Sequence, residues 1–428
     1  MPAALVHVAL LAAALQSPED LDPVLGEAID AWAAPAVEAG HLSGSLLVAI
    51  GPDVLVERHW GLANREHRVP NGPKTRYCIA SISKPMTGVI TARLIARGDL
   101  ALTSTLDSFA PEFPRGDEIT VSMLLNHTAG IPHRPLDEPL RYVPRTAAEV
   151  LAAAAAKPLL FDPGTQENYS TGGYSVLARV LEIAGGADYA TLVQREICVP
   201  AGMASTCHPS DRQVVPNRAT SYVFTPRGMQ HAALQDTSYL VGGGSLYSSP
   251  ADIHVFARTL LDGGYGDAVT AAYAREDGYR WNGITDGFRA FADHYPAEDA
   301  HVVWCGNVHS GATDALRLVV PAILRGEEVP PVSVPTPAAT PVPVETLRRI
   351  EGVYELRPGS EVSVRAYEGG LAVNDWLLVP ESESAFFSPQ DYGRVTLRVD
   401  DEGSVVGLDW VTGETTTVMP RVRELDAR

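Results

Sequence analysis

Tyr77-Cys78-Ile79-Ala80-Ser81-Ile82-Ser83-Lys84-Pro85-Met86-Thr87 is the stretch on which the reading of the chain turns. It holds a serine three residues ahead of a lysine. The segment it opens reads as an amphipathic helix, with Met86, Val89, Ile90 and Leu94 on its apolar face and Gly98 as its stop. Positions three apart share one face of a helix, so the Lys84 amine can reach the Ser81 hydroxyl. A serine is a weak nucleophile until a neighbouring base takes its proton, and an uncharged lysine can be that base. The helix N-terminus adds the positive end of a macrodipole, which favours a neutral amine and a developing oxyanion.

Composition sharpens this. Only three lysines, Lys74, Lys84 and Lys157, stand among the 33 Lys+Arg of the chain. Arginine never deprotonates in a protein, whereas a desolvated lysine titrates readily. Lys84 is the one lysine with a serine three positions before it. On the short pattern alone a surface Ser and Lys would be the plainer reading, and the wider context decides against it.

At 428 residues the chain has room for about two to three domains. Its 45% hydrophobic and 20% charged residues are an ordinary globular balance. A net charge of −19 argues against a nucleic-acid or anionic-membrane partner and suits small-molecule substrates. Cys78, Cys198, Cys207 and Cys305 form no disulfide framework and no metal-ligand spacing, so free buried thiols are expected, with a Cys198–Cys207 bridge as the alternative. Residues 1–20 read as a signal-like or N-terminal apolar segment, too short to span a membrane. An exported protein, periplasmic or secreted, is the expectation, with a cytoplasmic protein carrying a packed N-terminal helix as the alternative. No other segment is long and apolar enough to insert stably in a membrane. The sequence says nothing of oligomeric state.

In chain order, Leu21 to Gly40 reads as a helix, and Ser45–Gly51 with Val54–Trp60 as an antiparallel hairpin about Gly51-Pro52-Asp53. Helical patterns follow at Thr120–Asn126, Thr146–Lys157, from Tyr174 to Gly185, at Val193–Val199 and at Ser249–Leu261. Strand patterns return at Phe288–Tyr295 and His301–Asn307, and a last amphipathic helix covers Ala312–Arg325. The simplest packing joins the two hairpins into one antiparallel sheet with helices on its faces and leaves the middle as a helical lobe. A site belongs in the cleft between lobe and sheet. This is an α/β (α+β) domain over 21–327, followed by a Pro-rich linker at 328–345. Five short alternating strands between Gly352 and Trp410 then predict a small all-β, barrel-like domain over 346–428.

With these blocks in view, the chain resembles the serine β-lactamase-like family, which includes class C β-lactamases, penicillin-binding proteins, family VIII carboxylesterases and D-aminopeptidases. The likeness runs from about Gly40 to Arg325. It is carried by Tyr77–Lys84, Ile119–Gly130, Asp162-Pro163-Gly164, Tyr169-Ser-Thr-Gly-Gly-Tyr174, Pro200–Met203 and Gly242–Ser248. The resemblance implies that Ser81 is the acylated nucleophile, Lys84 the amine bonded to it, and Tyr169 the residue that shuttles protons to the leaving group or water. A Lys84 ammonium near Tyr169 would favour its phenolate. Tyr174 is the alternative tyrosine and is expected to begin the next helix. The oxyanion hole would pair the backbone N–H groups of Ser81 and Ile284.

Two departures from the family pattern bear on substrate. Thr171 stands where the family often has Asn, and Trp281-Asn282-Gly283 aligns with the motif that is normally Lys-Thr-Gly or His-x-Gly. Trp281, Gly283 and Thr171 would then help bind substrate, with an apolar ring in place of a cation. The expected function is a serine hydrolase working through an acyl-enzyme on small esters. The alternatives are a D-amino-acid peptidase, β-lactamase or transacylase with the same triad, and a non-catalytic binding protein derived from the fold. No cofactor and no metal are implied, because His-Glu-x-x-His, Walker and dinucleotide motifs are missing, as is a Gly-x-Ser-x-Gly elbow.

Overall fold

The computed structural model describes residues 21–425 apart from 210–212, 234–235, 274–275, 328, 331, 336 and 339–340. The apolar segment read at 1–20 lies outside the described residues. Helix α1 (Leu21–Glu38) buries Leu25, Ile29, Trp32 and Ala36 along one stripe. Strands β1 (Gly44–Ile50) and β2 (Asp53–Trp60) form the expected hairpin, turning at Gly51 with φ +55°.

Helix α2 (Ser83–Arg97) follows a single 3₁₀ turn at Ala80–Ile82 that carries Ser81. It is less amphipathic than its sequence implies. Thr87 and Thr91 are buried with Val89 and Ile90, each hydroxyl donating to the carbonyl four residues back. The pattern misleads because a threonine can satisfy its own hydroxyl inside a helix. Gly98, at φ +82°, ends it as expected.

Helix α3 (Thr171–Gly185) starts three residues earlier than the sequence reading, with Ser170 as its N-cap, accepting from Gly173 N–H at 2.9 Å. Gly172-Gly173 reads as a turn but serves close packing: a Cβ on Gly172 would lie 2.3 Å from the Pro132 carbonyl. Helix α4 (Pro250–Leu261) follows Ser249 as its N-cap.

The sheet is completed by β3 (Arg280–Thr285), β4 (Phe288–Tyr295) and β5 (Ala300–Gly306), and α5 (Ala312–Leu324) follows. Its order is β2-β1-β5-β4-β3, antiparallel throughout, with Leu47 opposite Val303 where the two hairpins join. Alternation along the central strands divides two cores. Leu47, Ala49, Val303 and Cys305 face the helical lobe, while Leu46, Val48, Val302 and Trp304 face α1 and α5. All four cysteines are free thiols.

Beyond α5, Val332 and Val334 pack on the α1–α5 side of the sheet. Helix α6 (Val344–Arg348) then leads into eight strands: β6 (Gly352–Arg357), β7 (Ser360–Tyr367), β8 (Gly370–Val373), β9 (Trp376–Pro380), β10 (Ala385–Phe387), β11 (Arg394–Val399), β12 (Val405–Thr412) and β13 (Thr415–Arg423). They close into an antiparallel barrel, β13 returning to β6. The barrel rests on the preceding domain through Leu377 and Val379, which pack with Tyr222, Phe224 and Val308. Among the described residues no helix is long and apolar enough to cross a membrane.

Candidate active site

Lys84 is 6% exposed, and its amine has three partners. Nζ lies 3.1 Å from Ser81 Oγ, 3.2 Å from Thr171 Oγ1 and 2.6 Å from the Gly243 carbonyl. Burial pushes its pKa down to about 7. A neutral amine has two hydrogens and one lone pair. Gly243 O accepts one hydrogen and Thr171 Oγ1 the other, which leaves the lone pair to accept from the Ser81 hydroxyl. The arrangement matches the base that the Ser-x-x-Lys spacing requires. Thr171 thus serves Lys84 directly as well as lining the cleft.

Tyr169 Oη is 2.6 Å from Ser81 Oγ. The expected phenolate is not favoured here. Burial raises the Tyr169 pKa, with its hydrogen bonds to Ser81 and Thr171 opposing the rise. The Lys84 amine sits over the ring, 4.7 Å from its centroid, rather than on the oxygen. A depressed lysine and a raised tyrosine place a group able to accept a proton near neutral pH beside one that holds its own. Tyr174 is committed elsewhere, its hydroxyl donating to the Leu125 carbonyl at 3.1 Å.

Strand pairing sets the direction of the Ile284 N–H, the expected second donor of an oxyanion hole. Asp286-Gly287 links β3 to β4, with Thr285 opposite Phe288 and Ile284 opposite Arg289. The pair flanking a two-residue turn exchanges hydrogen bonds, so the next pair does not, and the Ile284 N–H points out from the free edge of the sheet. That edge abuts the nucleophile turn. A Cβ on Gly283 would lie 2.1 Å from the Ile79 carbonyl and 3.5 Å from Ala80 Cβ, so only glycine lets the strand approach this closely. Ala80, immediately before Ser81, is held at φ +44°, a strained left-handed conformation.

The cavity at Ser81 measures about 370 Å³ and is lined by Tyr169, Thr171, Leu240, Asn282, Ile284 and, from the lobe, His133 and Arg134. Trp281 is not among its lining residues. Side chains alternate along a strand, and Trp281 stacks on Tyr279 at 3.9 Å between ring centroids and packs on Phe256. The ring expected to meet substrate therefore supports the strand, and Asn282 takes its place at the cleft. Arg134 is exposed and makes no hydrogen bond or ion pair among the described residues. No residue of the barrel lines this cavity.

Two histidines that the sequence reading left without a role brace Tyr169. His127 Nδ1 accepts from Ser170 N–H and His133 Nδ1 accepts from Thr171 N–H, each at 3.1 Å. Their rings lie 4.7 and 5.5 Å from that of Tyr169. Burial first, with Lys84 among the further causes, lowers both pKa values, so both rings are neutral at pH 7. His127 stands in the Ile119–Gly130 block, as part of His127-Thr128-Ala129-Gly130, the only sequence signal for it. Elsewhere, ligand atoms of His294, Asp299 and His301 converge within 4.8 Å, but Arg258 already donates to both Asp299 oxygens.

A buried amine, an aligned hydroxyl and an open N–H at a sheet edge stand together on a β-lactamase/transpeptidase-like fold, that of a family of serine hydrolases. The chain belongs to the Beta-lactamase family, whose sequence profile it matches over residues 29–327. Esterase EstB of Burkholderia gladioli is 30% identical over 268 residues, covering 54% of this chain and 68% of EstB. Penicillin-binding protein 4* of Bacillus subtilis (strain 168) is 28% identical over 261 residues, 56% of each chain. The chain spans little more than half the length of the first curated relatives it matches, 55% and 56%. The crystal structure of SurE superposes with a TM-score of 0.60 at 20% identity, covering 94% of this chain and 100% of SurE, a likeness of fold alone.

Proposed function

We propose that the protein hydrolyses small esters through an acyl-enzyme on Ser81. The observation that carries this reading is the neutral, fully partnered Lys84 amine directed at Ser81 Oγ. Ser81 Oγ gives its proton to Lys84 as it adds to the ester carbonyl. The N–H groups of Ser81 and Ile284 hold the oxyanion, and Tyr169 O–H protonates the departing alkoxide. Water then enters at the vacated position, and the same groups return the protons in reverse order as the acid leaves.

Esters are preferred over lactams and peptides because the strand brings the neutral Asn282 to the cleft, and its Trp281-Asn282-Gly283 motif has no cation where the lactam-binding pattern carries one. The likeness to esterase EstB supports the same preference. Arg134 is the fully charged side chain lining the cleft, so an ester with a negative group on the lobe side gains from it. The apolar opening of the chain supports an exported protein. Activity-based labelling tests the nucleophile. A fluorophosphonate should add to Ser81 in the folded protein, and p-nitrophenyl acetate turnover should fall by at least about a thousandfold in Ser81→Ala. Turnover that persists in Ser81→Ala overturns the assignment, and a panel with faster D-alanyl amide than ester turnover overturns the substrate class.

A further inference from the structure

A cavity larger than the Ser81 cleft lies in the barrel. We propose that it is a binding cup for small cationic amphiphiles, an apolar tail bearing a quaternary or protonated amine. The barrel is stoppered at one end, where Leu347 and Ile350, both fully buried, enter its core beside the start of β6. The opposite end, where the β6–β7, β8–β9 and β12–β13 turns gather, stays open over a cavity of about 520 Å³. That volume is within the range of small-ligand sites.

Its chemistry is graded from floor to mouth. Val362, Val373 and Met419, all buried, form an apolar floor. Above them Trp376 and Trp410 make a corner, ring centroids 6.2 Å apart and planes at 60°. Trp376 is 39% exposed, an unusual cost for an indole, and meets His309 edge to face at 6.2 Å between ring centroids. Trp410 is fixed in place, its Nε1–H donating to Asp391 Oδ2 at 2.9 Å.

The mouth is acidic. Asp375 is exposed and makes no ion pair among the described residues, and Asp391 accepts only from neutral groups, Trp410, Thr412 and the Gly393 N–H. None of the lining residues is a lysine, arginine or histidine. Arg289, beyond the neighbouring His309, is already paired with Asp314. Two indole faces and two carboxylates attract a cation and repel an anion, while the floor takes the alkyl chain. The cup holds no nucleophile, so the inference stands apart from the ester reading.

Titration calorimetry on the full chain with octyltrimethylammonium, octanol and octyl sulfate tests it. The expected result is saturable one-to-one binding of the cation, about tenfold or more tighter than either other probe, the size of one desolvated cation–π contact. Trp376→Ala and Asp375→Asn should each weaken it by about three- to tenfold, with ester turnover and thermal midpoint unchanged to show an intact fold. Fluorophosphonate-labelled protein should bind the cation as well as unlabelled protein. Equal binding of the three probes, no saturable binding, or loss of binding on labelling each overturns the proposal. Because Asp375 lies in an exposed turn, Asp375→Asn still reads the charge term if Trp376→Ala fails to fold.

Discussion

The two cavities make an instructive pair. The barrel cup is the larger, about 520 against 370 Å³, and is built from regular strands whose inward residues are apolar. The Ser81 cleft is smaller and everything in it is exceptional: a buried amine, a left-handed alanine, a glycine pressed against a carbonyl. Volume measures what can enter. What can react there depends on polar groups that packing has stripped of water and then supplied with partners.

Substitutions at the cleft should break this contrast hardest. Lys84→Arg keeps the charge and removes the base, so kcat/KM for p-nitrophenyl acetate should fall by about 10² to 10⁴ in stopped or continuous assays. An active arginine variant would show that Lys84 is only a hydrogen-bond donor. Gly283→Ala forces β3 away from Ile79 and takes the Ile284 N–H with it. A loss of about a hundredfold in kcat is expected, with KM little changed and the fold destabilised by about 1–3 kcal/mol on denaturant titration.

The pH profile gives the next effect in size. Lys84 is active when neutral, and its pKa of about 7 means kcat/KM rises with pH, by roughly tenfold per unit below 7, then levels. Tyr169, raised from its ordinary value, keeps its proton, so no descending limb belongs below about pH 10. A descending limb near neutrality would instead mark a tyrosine acting as phenolate. Smallest is Arg134→Ala, which should raise KM by about two- to fivefold for esters carrying a carboxylate and leave neutral esters alone. Asp375→Asn in the cup should move none of these four quantities.

The sequence carried the local relationships well. Ser81 and Lys84 are three apart in a helix whatever the rest of the chain does, and both sheet hairpins announce themselves by alternation and turn residues. Relationships fixed by parity or by distant neighbours were hidden. Trp281 falls in the right motif, but the side of the strand its ring takes depends on how β3 registers with β4. The direction of the Tyr169 shift depends on the amine lying over the ring rather than at its oxygen. In the barrel, Trp376–Pro380, Ala385–Phe387 and Thr415–Arg423 escaped notice because they are short, or carry a proline, or alternate threonines and charges where apolar residues are expected. Closure of the barrel supplies what those strands lack on their own.

The three partners of Lys84 carry one more consequence. Gly243 O can only accept, and Thr171 Oγ1 and Ser81 Oγ are hydroxyl oxygens that turn about a single bond. With the amine neutral, two partners accept and Ser81 donates; with it protonated, all three accept. One hydroxyl rotor is therefore enough to solvate both protonation states, and no heavy atom has to move when the proton does. The free site can thus change protonation state on a fixed scaffold, with almost none of the reorganisation that water would demand.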